Sequence, residues 1–128
     1  MVTERSWNPL LATCPSRTSL ARIANKWTAL IVIALQHRRL RFGELQAAVD
    51  GISKKVLVDT LRDLERDAIV ERIDHGTVPR HVDYGLTPLG STLEHPLGAL
   101  VDWAAEHFDD VLEARQAYDE KALGTPHG

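Results

Sequence analysis

From Ser53 to Arg66 the chain carries Ser53, Lys54, Lys55, Val58, Asp59, Arg62 and Arg66 on a stretch of helical period. At 100° per residue, Leu57, Leu61 and Leu64 fall in one narrow stripe suited to a core. Lys55, Asp59, Arg62 and Arg66 point the opposite way, and Lys54 and Val58 lie on one flank. Such a cationic face either sits in water as an ordinary solvated surface or meets a polyanion. In the second case the N-terminal residues, Ser53 to Asp59, are placed to reach base edges in a major groove. Arg62 and Arg66 are then placed for phosphates, and the helix N-terminus at Ser53 can bind a phosphate itself. Near Val78-Pro79, Arg80 and His81 could grip a backbone or enter a minor groove, and Arg41 adds a further cation upstream.

The elements that must position these residues can be read from period and punctuation. Residues 1–13 carry little periodicity and read as a loose arm. Pro15 suits the first position of a short helix running to about Ala24, which would bury Leu20, Ile23 and Ala24. Asn25 is a good N-cap for a helix from Lys26 to about His37, apolar on nearly all sides and so the centre of a small core. Arg38 to Arg41 reads as a brief extended segment. Phe42 to Val49 is amphipathic, Asp50-Gly51 marks a turn, and Ser53 caps a longer helix to Arg66 or Asp67. Short helix, glycine turn and longer helix make the helix-turn-helix pattern. Ile69–Asp74 and His81–Leu86 then alternate as an antiparallel hairpin, the position of a wing. Thr87-Pro88 opens a further helix with a long apolar stripe (Leu93, Leu97, Leu100, Val101, Ala104, Phe108, Val111, Leu112), with a kink or split expected near Glu94 from Pro96 and Gly98. The last residues, from about Leu123, read as frayed. The fold class is therefore mainly α with a small β-hairpin (α+β), a winged helix-turn-helix in a single domain over 1–128. It divides into the arm, a nucleic-acid-binding core with its wing over 14–87, and a C-terminal helix region over 88–122.

Composition narrows the function classes. With 128 residues, 44% hydrophobic and 26% charged, the chain fits one globular core. The net charge of −3 is unhelpful to nucleic-acid binding, but it is unevenly spread. Residues 17–66 hold ten Lys and Arg against five acids, a net of +5, whereas residues 88–128 hold two against eight, a net of −6. A basic front and an acidic rear suit a nucleic-acid face with a separate face for something else. Cys14 is the only cysteine, so an internal disulfide is excluded. No Cys/His cluster has zinc spacing and no metal ligand set is expected. There is no phosphate loop, no G-x-S-x-G and no acid–base pair, and Asp109-Asp110 reads as a solvated helix end. These absences argue against an enzyme, and no cofactor is called for. No run approaches the ~20 apolar residues of a membrane span, and the start lacks the order of a signal peptide. The expected location is the cytoplasm.

Several ordered blocks carry a family resemblance. They are Cys14-Pro15, Lys26-Trp27-Thr28, Arg41-Phe42-Gly43-Glu44-Leu45, Gly51 to Leu57, Leu61-Arg62-Asp63-Leu64-Glu65, Val70-Glu71-Arg72, Val78-Pro79-Arg80, Val82 to Gly90 and Trp103-Ala104. Together, over about Cys14 to His107, the chain resembles the HxlR-type regulators, MarR-like winged-helix proteins of bacteria and archaea. The resemblance implies a transcription regulator that binds double-stranded DNA as a homodimer on a palindromic operator, with the first and last helices building the dimer. The C-terminal stripe agrees, being too long for so short a chain to bury alone. The chain also departs from the pattern. Family members often carry Gly where Asn25 and Ala68 stand, and alanine is uncomfortable if that second position needs positive φ. Thr and Gln are frequent where Val58 and Asp59 stand. Val58 could touch a thymine methyl, and Asp59 could accept from cytosine, repel phosphate, or pair with Lys55 four residues earlier.

In this family a cysteine at the position of Cys14 often senses oxidants or electrophiles. A helix N-terminus at Pro15 and the nearby Arg17 would favour its thiolate. A lone cysteine is equally often a small buried hydrophobe. With no second cysteine, a disulfide would have to join two subunits or capture a small thiol. Other readings stay open: a small-molecule effector in an aromatic pocket lined by Trp7, Trp27 and Trp103 near the dimer interface, or a winged helix that pairs with protein. Trp27 and Trp103 read first as plain core residues.

Overall fold

The computed structural model describes residues 7–124. Residues 1–6 of the expected arm and 125–128 of the expected frayed end lie outside them. In order, the elements are α1 (Ser16–Ile23), α2 (Lys26–Ala34), β1 (Leu40–Arg41), α3 (Phe42–Ala48), α4 (Lys54–Arg66), β2 (Val70–Asp74), β3 (Val82–Leu86), α5 (Pro88–Ser91) and α6 (Glu94–Gly124).

The core forms where the apolar faces of α2, α3 and α4 meet the sheet. Ile31, Val32, Leu45, Leu57, Leu61 and Leu64 are buried there, joined by Leu40, Val49, Ile52, Val70 and Leu97. Each large aliphatic side chain contributes about 1.5–3 kcal/mol on burial. The α2 helix is central, as its all-round apolarity requires. Asn25 caps it, accepting from the Trp27 N–H at 2.8 Å. It stops at Ala34, shorter than the expected His37, with Leu35 in the cap position. The expected burial along α1 is corrected: Ile23 is half-buried against the core, but Leu20 and Ala24 are exposed. The reason is that α1 covers one side of α2, and among the described residues the outer face of α1 at Leu20 and Ala24 stays uncovered. An ion pair that pattern reading did not find, Arg22 to Asp67 at 2.8 Å, ties α1 to the end of α4. The described part of the arm is turned back on α1. Arg17 donates to the carbonyls of Pro9 and Leu10, both at 3.0 Å.

The expected hairpin is one part of a three-stranded antiparallel sheet of order β1-β3-β2. Two residues of β1 add to the hairpin, Leu40 opposite Tyr84 and Arg41 opposite Asp83. A two-residue strand has no period to read, so the extension by Arg38–Arg41 was visible and its pairing was not. The expected break near Glu94 is a full stop: α5 ends at Ser91 and α6 begins at Glu94, with Pro96 in its first turn. The α6 helix then runs unbroken through Gly98, spanning about 46 Å at 1.5 Å per residue.

The end of α4 carries a strained residue. Ile69 N–H donates to Leu64 O at 2.9 Å and Ala68 N–H to Glu65 O at 3.0 Å. These are the two bonds of a Schellman C-cap. Its left-handed position is Ala68, at φ 59°. An L-residue with a Cβ costs roughly 1–2 kcal/mol there. Glycine would lose about 0.4–1 kcal/mol more chain entropy on folding, so strain wins. Ala68→Gly is expected to stabilise the protein by about 0.5–1 kcal/mol, read as a higher urea midpoint at fixed protein concentration. An unchanged or lower midpoint would mean that the backbone there is relaxed.

Candidate nucleic-acid interface

The two helices of the motif are set by their caps and by the turn between them. At the start of α3, the Arg41 N–H donates to Glu44 Oε1 at 2.9 Å. That bond holds the Glu44 carboxyl below its ordinary pKa, with Arg38 helping at 3.5 Å. The turn passes through Gly51 at φ 86°, a conformation that favours glycine. Ser53 Oγ then accepts from the Val56 N–H at 3.1 Å, capping α4 where it was expected.

The faces of α4 divide as the wheel requires. Leu57, Leu61 and Leu64 are buried, Lys54, Lys55, Asp59, Arg62 and Arg66 are exposed, and Val58 is half-buried on the flank. Of the readings open to Asp59, the chain adopts the pairing with Lys55, at 2.7 Å. Lys55 holds the Asp59 carboxyl below its ordinary pKa, first through that hydrogen bond and then through its charge. An exposed i,i+4 pair of this kind is worth only ~0.3–0.5 kcal/mol, so Lys55 can leave it cheaply for another anion.

The wing residues are also engaged. Arg80 sits on Asp74 at 2.9 Å, beside Gly76. The Gly76 N–H is the largest cause of the lowered Asp74 pKa. Arg41 Nη2 lies 3.1 Å from His81 Nδ1, so the fold brings together two site residues that are forty positions apart. Arg39 lies near Glu71 at 3.8 Å. Sequence reasoning missed a cluster at the base of the wing tip. His75 Nε2 is 2.8 Å from Asp83 Oδ2, and His81 Nε2 is 3.0 Å from Asp83 Oδ1. These hydrogen bonds, His75's first, hold the Asp83 carboxyl below its ordinary pKa. No ligand spacing along the chain flags this trio, because the hairpin register makes it. The usable signal was the alternation of His81 and Asp83, with His75 at the facing end of the other strand.

Cys14 is half-buried just ahead of α1. Its Sγ lies 3.0 Å from Ser16 Oγ and accepts from the Asn8 N–H at 3.1 Å. The Ser16 hydroxyl is the main cause of a lowered thiol pKa, opposed by desolvation. The expected help from Arg17 is corrected, since its guanidinium is turned to Pro9 and Leu10 instead. Of the two tryptophans expected in the core, Trp27 meets the expectation and Trp103 does not. Trp27 packs against the core, with Lys26 Nζ 4.5 Å from its ring centre. Trp103 is no core residue of this chain: it is 56% exposed on α6, tilted against His107. Trp7 is exposed as well. The cleft beside α1, α2 and α4 is lined by Thr18, Arg22, Asn25, Thr28, Thr60 and Asp63, without an aromatic wall.

Comparison with known proteins places this geometry. Residues 22–111 match the model of the HxlR-like helix-turn-helix family. The HTH-type transcriptional regulator YtfH of Escherichia coli K12 is 39% identical over 109 residues, which cover 85% of this chain and 84% of YtfH. The solved structure of the transcriptional regulator ytfH from Salmonella typhimurium superposes with a TM-score of 0.80 at 36% identity, covering 87% of this chain and 99% of that one. The redox regulator HypR, in its oxidized form, superposes at 0.67 with 32% identity, covering 73% of this chain and 96% of HypR. No helix among the described residues is long and apolar enough to cross a membrane. A capped, basic-faced second helix, a glycine turn and a following hairpin thus stand in a chain of matching sequence. It belongs to the HxlR-like helix-turn-helix family and is a transcriptional regulator with a DNA-binding helix-turn-helix, not an enzyme.

Proposed function

We propose that the chain acts as a homodimer on a palindromic operator, with α4 in the major groove and the β2–β3 wing on the flanking backbone. The unit is a single winged domain, with residues 14–87 reading DNA and 88–122 building the dimer. One observation carries the reading: Lys54, Lys55, Arg62 and Arg66 stand exposed on the second helix of the motif while its opposite face is fully buried. Ser53, Lys54, Lys55, Val58 and Asp59 are assigned to base edges and the nearest phosphates. Arg62, Arg66, Arg41, Arg80 and His81 are assigned to the sugar–phosphate backbone.

A second observation favours a redox input. The Cys14 thiol is partly exposed and its pKa is lowered by Ser16, the combination that makes a thiol reactive toward oxidants. The likeness to HypR, named a redox regulator, supports the same reading. Oxidised Cys14 would bridge two subunits or carry a small thiol, since the chain has no second cysteine.

The test is fluorescence anisotropy on labelled duplex from upstream of the protein's own coding region, over a salt series, with reductant and then with a mild oxidant. Lys55→Ala should weaken binding roughly tenfold, the lower range for a lost base contact. Arg62→Ala should reduce the slope of log K against log salt by about 1. Oxidant should change the affinity of wild type and leave Cys14→Ser unmoved. If both helix variants bind as wild type does, α4 is not the reading helix. If Cys14→Ser responds to oxidant like wild type, the switch lies elsewhere.

A further inference from the structure

We propose that His75, His81 and Asp83 form a binding site for a divalent transition-metal ion at the base of the wing tip. The fold supplies the arrangement. The β2–β3 register pairs Asp74 with Val82, and the His75 N–H donates to His81 O at 2.9 Å. His75 and His81 therefore face each other across the hairpin, on the side that Asp83, two residues along β3, also occupies. The imidazole centres are 4.3 Å apart. Asp83 is the anchor: β3 is the central strand, and Asp83 is paired to Ile73 on one side and Arg41 on the other.

One donor atom from each residue lies within 4.8 Å of the other two. Two imidazole nitrogens and a carboxylate oxygen suit zinc and its first-row neighbours better than calcium or magnesium. Zinc holds such ligands at about 2.0–2.2 Å, which puts neighbouring donors of a tetrahedron roughly 3.3–3.5 Å apart. Both histidines are about one-third exposed, so small rotations can close the remaining gap. The exposed side leaves room for water as the fourth ligand.

Arg41, which can only donate, lies on the Nδ1 side of His81, and Asp83 lies on the Nε2 side. Ligation through Nε2 would leave the ring proton on Nδ1 and displace Arg41. Arg80 is the other cation of the tip, and Asp74 already pairs with it. The trio is otherwise a hydrogen-bonded brace for the hairpin, and metal binding distinguishes the two roles.

The full chain, stripped with chelator and carrying Cys14→Ser to keep the thiol out, should bind one Zn2+ per chain by titration calorimetry. His75→Gln and His81→Gln should each weaken binding at least tenfold. His107→Gln, beside Asp110 on α6, should leave it unchanged. Independently of any variant, Co2+ added to the parent protein should give the strengthened visible absorption of low coordination number. Absence of saturable binding, binding that survives both wing substitutions, binding that moves with His107→Gln, or a Co2+ spectrum like that of the free ion would each overturn the site.

Discussion

Replacing Leu100 and Phe108 together by glutamate is expected to leave a folded monomer that binds its operator at least a hundredfold more weakly than wild type. The argument starts from what α6 leaves uncovered. Of its 31 residues only Leu97 is buried, where the first turns pack on α2. Leu100, Val101, Trp103, Phe108, Leu112 and Tyr118 are exposed along its length. Past Leu97, α6 buries no residue among the described residues, and an isolated helix is marginal in water. An exposed apolar stripe of this length marks an association surface. The exposed leucines Leu10, Leu11 and Leu20 at the front of the chain belong to the same problem. The proposed homodimer would cover both, because a two-fold axis brings each face to its own counterpart.

Leu100 and Phe108 suit the test because neither supports the fold of the single chain: they are 62% and 50% exposed. Glutamate there costs little within one subunit and several kcal/mol across an interface, where two like charges would be buried unpaired. Sedimentation equilibrium at micromolar concentration should show wild type as a dimer and the double variant as a monomer with native circular dichroism. The affinity loss follows from linkage, since a monomer engages one half-site and loses the second, effectively intramolecular, binding event. A monomeric wild type, or a double variant that remains dimeric, would show that α6 is covered by something else.

Gly90→Ala is expected to destabilise the fold by about 3 kcal/mol, the upper range for overpacking, with further loss if the adjoining helix cap is pulled apart. A Cβ at Gly90 would lie 2.0 Å from the Ile69 carbonyl oxygen and 3.0 Å from its carbon. Both are backbone atoms and cannot turn aside. The same carbonyl accepts from the Thr87 N–H at 3.1 Å and from the Thr87 hydroxyl at 3.3 Å, and that hydroxyl also accepts from the Gly90 N–H. Pushing α5 away from Ile69 therefore strains the cap that starts α5. It also shifts α6, which follows two residues later. Gly43→Ala is the control, because nothing lies within 4 Å of a Cβ there. Glycine within a helix costs roughly 0.5–1 kcal/mol relative to alanine, so that control should be neutral or slightly stabilising. Equal urea midpoints for Gly90→Ala and wild type would mean that α5 can move off Ile69 freely.

Legibility in the sequence followed the range of the interaction. The α4 helix could be placed to within a residue at its end because its signals are local: Ser53 as cap and three leucines at helical spacing. The strained Ala68 could be suspected for the same reason, since a helix C-cap is a matter of a few consecutive residues. The hairpin was visible as alternation, but the pairing of β1 with β3 was not, because register between distant segments leaves no trace in a two-residue strand. The burial expected along α1 failed on similar grounds. Leu20 and Ala24 have the period of a core face, and period does not say whether the covering surface belongs to the same chain.

Taken by itself, the sequence determined the order of the helices, the caps at Asn25, Ser53 and Thr87, the turn at Gly51 and the division of α4 into a leucine face and a cationic face, because each depends on neighbours within one or two turns. It also carried enough ordered blocks to indicate the family. Only the tertiary structure decided which charges are paired, since Lys55 with Asp59, Arg80 with Asp74 and Arg22 with Asp67 depend on rotamers and on packing between elements. It turned Arg17 away from Cys14 and set Ser16 against the thiol. It also brought His75, His81 and Asp83 to one spot, because strand register, which joins residues by hydrogen bonds rather than by spacing, is a property of the folded sheet alone.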